Sequence, residues 1–257
     1  MIQVFPTPEA LADAVARHVA KCAKAAISSN GRFTIALSGG STPQAAYARL
    51  ATRDSRLSTD DWWPTTDDWR LTHVVWGDER CVPPDDPRSN YRMAKEALLD
   101  RVPIPPGQIH RIRGEDDPEQ AAVEYERELR GLLEYHPFTS FRAGPDQRLD
   151  LVLLGLGEDG HTASLFPGQP ALHEKTRWVV AVTAHRSPDT LARITLTPAI
   201  LNSAQNITFV VSGAAKAARL QQVIEGPFTP DLLPAQAIHQ VEGRLTWMID
   251  RAAASRL

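Results

Sequence analysis

Short apolar runs alternate with amphipathic segments along this chain, and most runs end at glycine or at charged residues. Short runs of this kind predict buried strands, whereas apolar positions spaced three and four apart predict helices. The first helix is predicted to start at a Thr7 cap followed by Pro8 and to end at Gly31. The pattern predicts further helices at residues 43–50, 89–99, 118–135 and 214–224, and strands at 32–37, 71–76, 149–154, 178–183, 193–197, 207–212 and 245–249.

Strands that alternate with helices indicate an α/β fold, Rossmann-like, with a largely parallel sheet and helices on both faces. We expect residues 1–257 to form a single domain, because the strands on either side of the polar loop 136–148 belong to the same alternating series. Residues 51–70, with Trp62 and Trp63, are predicted to be a surface excursion.

The run LDLVLLGLGEDGHTASLFPG, residues 149–168, passes from an apolar strand into glycines, acids and a histidine. Ligands of open α/β sheets bind beyond the carboxyl ends of the strands, where this loop lies. His161 is the first candidate for proton transfer, since an ordinary imidazole titrates near neutrality. Asp159 is close enough in sequence to orient it. The alternative interpretation is a histidine that braces the turn.

The same run contains the dinucleotide pattern G-x-G-x-x-G at Gly155, Gly157 and Gly160. That fingerprint needs a helix opening at the third glycine and an acidic residue about 20 positions later. Pro167 and Gly168 follow instead, and the next apolar run ends without a carboxylate. Dinucleotide binding is therefore disfavoured.

The loop SGGSTP lies between a predicted strand and a predicted helix. Gly39, Gly40, Ser41 and Thr42 can offer backbone N–H groups and hydroxyls to an anion at the helix N-terminus. The loop lacks the Gly-Lys-Ser/Thr of a nucleotide P-loop, which favours the phosphate of a small metabolite. A tight turn with a capping hydroxyl is an equally good interpretation of the loop alone.

Two cations follow other predicted strands. Arg80, in the run GDER, could fork onto a phosphate or carboxylate oxygen, or form a surface ion pair with a neighbouring acid. Lys216 could approach a bound phosphate or be a solvated surface lysine. Since strand exits in a parallel sheet share one edge, we expect these loops to meet.

The composition of the chain narrows the class of protein. The formal net charge of −3 gives no reason to expect a nucleic-acid or membrane surface. Cys22 and Cys81 lack metal-type spacing, so we expect reduced thiols in a cytoplasmic protein. The N-terminus does not resemble a signal peptide, and no apolar run approaches membrane-spanning length.

Other catalytic classes fit poorly. Ala36 replaces the first glycine of a G-x-S-x-G elbow, which disfavours an α/β serine hydrolase. His161, His173, Glu174 and His185 lack the spacing of a zinc site. We expect catalysis without a metal or other cofactor.

Taken in order, SGGSTP, WGDERCVPPDDPRSNY, LGLGEDGHTASLFPG, RITLTPAILNSA and SGAAKA resemble the 6-phosphogluconolactonases, over about residues 33–216. The resemblance implies hydrolysis of 6-phosphogluconolactone to 6-phosphogluconate in the oxidative pentose phosphate pathway, with no nucleotide and no required metal. The partner implied is a small phosphosugar lactone, with no nucleic acid or membrane, and we expect a monomer or weak homo-oligomer.

The resemblance implies roles for particular residues. His161, with Asp159, would act as base and then acid, and Arg80 would bind phosphate or stabilise developing negative charge. The remaining phosphate ligands would be Gly39, Gly40, Ser41, Thr42 and Lys216. The family often carries a lysine before the RITLT segment, where this chain has Arg186 in a longer connection. Whether Arg186 or Arg193 contacts phosphate stays open.

Two alternatives remain. The wider superfamily includes glucosamine-6-phosphate deaminases and isomerases, which share the phosphate loop and the D-G-H turn but resemble a different continuation after the histidine. Residues 162–167 therefore favour the lactonase. A sugar-phosphate-sensing module without turnover is the other alternative, and the presence of His161 with Asp159 argues against it.

Overall fold

The computed structural model describes residues 1–52, 64–134, 148–183, 191–239 and 244–257. The strands are β1 Ile2–Phe5, β2 Phe33–Leu37, β3 Thr72–Trp76, β4 Asp78–Arg80, β5 Leu151–Leu154, β6 Val179–Thr183, β7 Ala192–Leu196, β8 Asn206–Val211 and β9 Arg244–Asp250. The α-helices are α1 Pro8–Asn30, α2 Ser41–Ala51, α3 Thr66–Arg70, α4 Asn90–Ala97, α5 Pro118–Glu134, α6 Pro198–Leu201 and α7 Ala217–Glu225.

Six strands form the central sheet, in the order β1-β9-β8-β5-β2-β3. Every neighbouring pair is parallel. The carboxyl ends of β2, β3, β5 and β8 therefore lie along one edge of the sheet. The predicted α/β class with a largely parallel, helix-flanked sheet is confirmed.

The predicted helix starts and strand cores agree well with the structure. The Thr7 side chain accepts a hydrogen bond from the Ala10 N–H, Pro8 stands in the first turn, and Gly31 ends α1 with a φ of 74°. The buried side chains of α1 include Leu11 and Val15, which are fully enclosed. Strands β2, β3 and β5 are shorter than predicted by one or two residues at their starts, where the chain enters from a loop.

Two predicted strands belong to a different sheet. Strands β6 and β7 pair with β4 in a three-stranded antiparallel sheet of order β4-β7-β6, separate from the parallel sheet. The apolar runs show that these segments are strands, but their direction depends on the path of the connecting chain.

Other segments also differ from the prediction. The exposed strand β1 pairs with β9 at the edge of the parallel sheet and was not predicted. Within the predicted surface excursion, α3 buries the indole of Trp69. Trp62 and Trp63 lie outside the described residues, as does nearly all of the predicted loop 136–148.

The two sheets and their helices share one cluster of buried apolar side chains, drawn from strands β2, β3, β5, β6, β7, β8 and β9 among others. Within the part of the chain that the structure describes, no helix is long and apolar enough to cross a membrane.

Glu79 connects β4 to the start of α4. Its carboxylate accepts hydrogen bonds from the N–H groups of Asn90 and Tyr91, both at 2.7 Å, and from the Ser89 hydroxyl at 2.9 Å. Burial raises the pKa of Glu79, and these hydrogen bonds oppose the rise. The side chain thus satisfies donors that the first turn of a helix leaves without partners.

Replacing Glu79→Gln should destabilise the fold. A buried amide cannot accept hydrogen bonds at both terminal atoms, so at least one donor loses its partner at a cost of about 1–3 kcal/mol. Urea unfolding followed by circular dichroism measures the change. Glu119→Gln is the matched control, because Glu119 is largely exposed at the start of α5. Equal stabilities of the two variants would contradict the assigned role of Glu79.

Candidate active site

A cavity of about 520 Å³ opens at the carboxyl edge of the parallel sheet. Most of its wall comes from the exits of four strands: residues 38–40 after β2, Asp78 and Arg80 after β3, residues 155–159 and 161–163 after β5, and Lys216 after β8. The predicted meeting of the loops at one edge is therefore confirmed. The volume is typical of a site for a small metabolite.

His161 and Asp159 form a hydrogen-bonded pair in the wall of this cavity. His161 Nδ1 lies 2.5 Å from Asp159 Oδ1, which also accepts the backbone N–H of His161 at 3.1 Å. Partial burial acts to raise the pKa of Asp159, but the hydrogen bond and charge of His161 outweigh it and bring that pKa to about 2. An ionised Asp159 accepts the proton on Nδ1, so the neutral imidazole keeps its Nε2 lone pair for a base.

Several hydrogen bonds fix the turn that follows His161. Ala163 has a φ of 47°, a strained value for a residue with a side chain. The Thr162 hydroxyl donates to the Gly155 carbonyl at 2.8 Å, and the buried Ser164 hydroxyl donates to Asp78 Oδ2 at 2.6 Å. Ser164 N–H also donates to Thr195 Oγ1 on β7. These bonds maintain the strained backbone and fix the loop that carries His161.

The loop after β2 has only part of the predicted arrangement. Gly39 and Gly40 line the cavity, together with Ser38. A Cβ on Gly39 would lie 2.0 Å from Asn90 Oδ1, so only glycine allows this close approach. Ser41 and Thr42 stand in the first turn of α2 and are not among the residues that line the cavity. Their contribution would therefore come from backbone N–H groups at the helix N-terminus.

Arg80 and Lys216 both reach the cavity. Arg80 Nη1 donates to the Arg88 carbonyl at 2.6 Å, while its buried Nε has no hydrogen-bond partner among the described residues. Lys216 is about one quarter exposed, and its Nζ lies 3.8 Å from the exposed carboxylate of Glu158. Among the described residues, Arg80 forms no ion pair with a neighbouring acid. Lys216 is not fully solvated.

The cavity wall also contains Arg193, for which the sequence left a phosphate contact open, and Phe166, which sequence reasoning did not single out. Arg193 on β7 is buried, and its guanidinium carbon lies 5.5 Å from the centre of the Phe166 ring. That ring in turn lies 4.9 Å from the ring of His161. The signal was present in RITLT, because Arg193 and Thr195 alternate with Ile194 and Leu196 and so share one face of a strand.

Several other candidates are placed elsewhere. Arg186 and His185 lie outside the described residues. His173 pairs with Asp231, and Glu174 accepts hydrogen bonds from the Thr176 and Arg177 N–H groups. Within the described ranges, no group of three or more His, Cys, Asp or Glu side chains could hold a metal ion.

The dinucleotide interpretation fails on local geometry. The chain continues from Gly160 through turns and the short bridge between Thr162 and Leu165, rather than opening a helix. The helix that would present its N-terminus to a pyrophosphate is therefore missing from this strand exit. The helix N-terminus in this cavity belongs to α2 instead.

Comparison with known proteins identifies the family. The model of the family described as glucosamine-6-phosphate isomerases/6-phosphogluconolactonase matches residues 6–247. The chain belongs to this family. Among curated members, the chain is 40% identical over 235 residues to 6-phosphogluconolactonase of Nostoc sp., covering 90% of this chain and 88% of the relative. It is 38% identical over 255 residues to probable 6-phosphogluconolactonase 3, chloroplastic, of Oryza sativa subsp. indica, covering 99% of this chain and 75% of the relative.

Solved structures of the family share the fold. The 6-phosphogluconolactonase from Trypanosoma brucei superposes with a TM-score of 0.80 at 29% identity, covering all of this chain and 98% of the other. A monomeric glucosamine-6-phosphate deaminase gives a TM-score of 0.79 at 23% identity, a likeness that extends to the fold alone.

The geometry of the pair can be tested at Gly157. A Cβ there would lie 2.1 Å from His161 Nδ1 and 2.7 Å from Asp159 Oδ1, so Gly157→Ala should displace the imidazole. We expect the downfield proton NMR signal of the His161–Asp159 hydrogen bond to disappear. At Gly155 a Cβ meets no heavy atom within 4 Å, so Gly155→Ala should retain the signal. An unchanged signal in Gly157→Ala would contradict this geometry.

Proposed function

We propose that this chain hydrolyses 6-phospho-D-glucono-1,5-lactone to 6-phosphogluconate, a step of the oxidative pentose phosphate pathway. The observation that carries the proposal is the His161–Asp159 pair in a cavity that also contains Lys216, Arg80 and a helix N-terminus. A general base and an anion site are thus presented to one ligand. The names of the curated relatives point to the same substrate.

In the proposed reaction, His161 Nε2 takes a proton from a water as that water attacks the lactone carbonyl, C1. A positioned base of this kind contributes about 10² to 10⁴ in rate. The carbonyl oxygen becomes an oxyanion, and the C1 to ring-oxygen bond then breaks as the carbonyl re-forms. The imidazolium returns its proton to the departing ring oxygen, and the new carboxylic acid ionises into solvent. Asp159 stabilises the imidazolium between these two transfers.

The phosphate of the substrate is proposed to bind away from the reacting carbon. The backbone N–H groups at the start of α2, with Gly39 and Gly40 approaching closely, supply donors and the positive end of a helix dipole. Lys216 supplies the charge at the phosphate, and Arg80 either joins it there or stabilises the negative charge that develops at C1. Because Gly39, Gly40 and Lys216 belong to the loops after β2 and β8, phosphate binding and proton transfer are carried by different loops.

The broader properties of the protein are part of the same proposal. We propose one domain over residues 1–257, supported by the cluster of apolar side chains that both sheets share. A cytoplasmic monomer or weak homo-oligomer that acts without a cofactor is proposed as well. The free thiols of Cys22 and Cys81 support a reducing compartment.

The first test is a rapid lactone assay corrected for spontaneous hydrolysis. The wild-type protein should hydrolyse 6-phosphogluconolactone and release no ammonia from glucosamine 6-phosphate. His161→Ala should lose about 10² to 10⁴ in kcat yet still bind 6-phosphogluconate, because the phosphate contacts lie in other loops. His173→Ala, which changes an exposed histidine, is the control. Near wild-type turnover in His161→Ala would remove its assigned role, and ammonia release without lactone hydrolysis would reverse the proposed activity.

The second test separates binding from chemistry. Lys216→Ala should raise KM roughly ten- to a hundredfold with a smaller change in kcat, since a hydrogen bond to a charged group contributes about 1.5–3 kcal/mol. Lys175→Ala is the matched control, because Lys175 is exposed and is not among the residues that line the cavity. Steady-state kinetics on the same lactone measures both constants. An unchanged KM in Lys216→Ala would exclude it as a phosphate ligand.

A further inference from the structure

Arg80 and Arg193 face each other across the antiparallel pair β4 and β7. The flanking hydrogen bonds, from Cys81 N–H to the Ala192 carbonyl and from Leu196 N–H to the Gly77 carbonyl, make this a non-hydrogen-bonded pair, in which opposite side chains are closest. Like charges directly opposite are unfavourable in a sheet. The two arginines thus lie in one cavity wall, where guanidinium groups can donate hydrogen bonds to a negatively charged ligand.

Hydrogen bonds to Ser164 fix the same face of the three-stranded sheet. Asp78 and Thr195 are the next pair along β4 and β7, and both bind Ser164. Side chains alternate along a strand, so Asp78 and Arg80 share a face, as do Arg193 and Thr195. The pair of arginines therefore stands beside the anchored turn that carries His161.

The position of Arg193 close to His161 indicates that it meets the reacting end of the substrate. Both side chains pack on the ring of Phe166, at 4.9 Å for the His161 ring and 5.5 Å for the Arg193 guanidinium carbon. Lys216 follows β8, which lies on the opposite side of β5 from β2 and β3, whereas Arg80 follows β3. The wall thus carries cations on both sides of His161.

We propose that Arg193 is a catalytic residue that donates hydrogen bonds to the C1 oxygen of the substrate. This inference rests on the proposed lactone hydrolysis and adds a residue to it. Water adds to C1 and the carbonyl oxygen takes the negative charge, which the guanidinium stabilises. When the ring C–O bond breaks, the charge passes to the ring oxygen, which is protonated by His161. The product carboxylate then accepts two parallel hydrogen bonds from the Arg193 guanidinium.

A binding experiment isolates the contact with the C1 oxygen. 6-Phosphogluconate carries a carboxylate at C1, whereas glucitol 6-phosphate carries the same phosphate and a hydroxyl there. By calorimetry, Arg193→Met should lose at least about tenfold in affinity for the first ligand and change less than about twofold for the second. Lys216→Ala should weaken both ligands by a similar factor. Ile194→Val, on the same strand but facing the core, is the control for packing and should change neither affinity.

Kinetics gives a second readout. Arg193→Met should lower kcat for 6-phosphogluconolactone by about 10² to 10³ and change KM by less than about threefold. Thermal unfolding reports whether each variant folds. If Arg193→Met does not fold, Arg193→Lys replaces it, because a lysine keeps the charge and stem but cannot make the two-pronged contact.

The outcomes separate the two proposals. Equal weakening of both ligands by Arg193→Met would make Arg193 a phosphate contact, and unchanged affinities and kcat would give it a packing role only; either result overturns the inference. A wild-type protein that binds neither ligand and hydrolyses no lactone would overturn the proposed function itself.

Discussion

The hydrogen bond from the Ser164 hydroxyl to Asp78 Oδ2 joins the two sheets of this protein at the place where the site forms. Both groups are buried, and an unpaired buried carboxylate is costly, so the bond constrains everything attached to it. On one side it holds the turn after β5, including the strained Ala163. On the other it holds the start of β4, and through Asn90 Nδ2, which donates to the Asp78 carbonyl, the start of α4.

This coupling explains why the site draws on two kinds of sheet. The exits of parallel strands bring turns and a helix N-terminus to one edge, and these offer backbone N–H groups and the His161–Asp159 pair. The short antiparallel strands instead present long side chains from one face, which places Arg80 beside Arg193. Backbone donors suit a phosphate, whereas a paired guanidinium suits an oxygen whose charge changes during a reaction.

Much of the parallel sheet and its helices could be predicted from the sequence. Short, unbroken apolar runs are typical of strands buried on both faces, and β2, β3, β5 and β8 all follow this pattern. The caps of α1 at Thr7 and Gly31 could be identified because capping depends on local side-chain and backbone preferences. The meeting of the loops around His161, Gly39 and Arg80 could be predicted from the rule that strand exits share an edge.

The small sheet and its contribution to the site could not be predicted in the same way. Apolar runs do not encode strand direction, so the pattern does not show that β6 and β7 form an antiparallel sheet with β4. The burial of Arg193 depends on its pairing with Arg80 and on its contact with Phe166, both distant in sequence. Strand β1 is short and exposed, and its pairing with β9 joins residues from opposite ends of the sequence.

Under the proposed reaction, the charges around Phe166 also explain why an apolar ring packs against both the base and the guanidinium. When His161 accepts a proton it becomes a cation close to Arg193, and a direct contact between them would disfavour that step. Both groups instead pack on the ring of Phe166, and Asp159 neutralises the new charge through its contact with Nδ1 of the imidazole. The oxyanion forms in the same step as the imidazolium, so the total charge of the site does not change. The arrangement stabilises charge separation across the reacting carbon, which is the electrostatic requirement of ester hydrolysis.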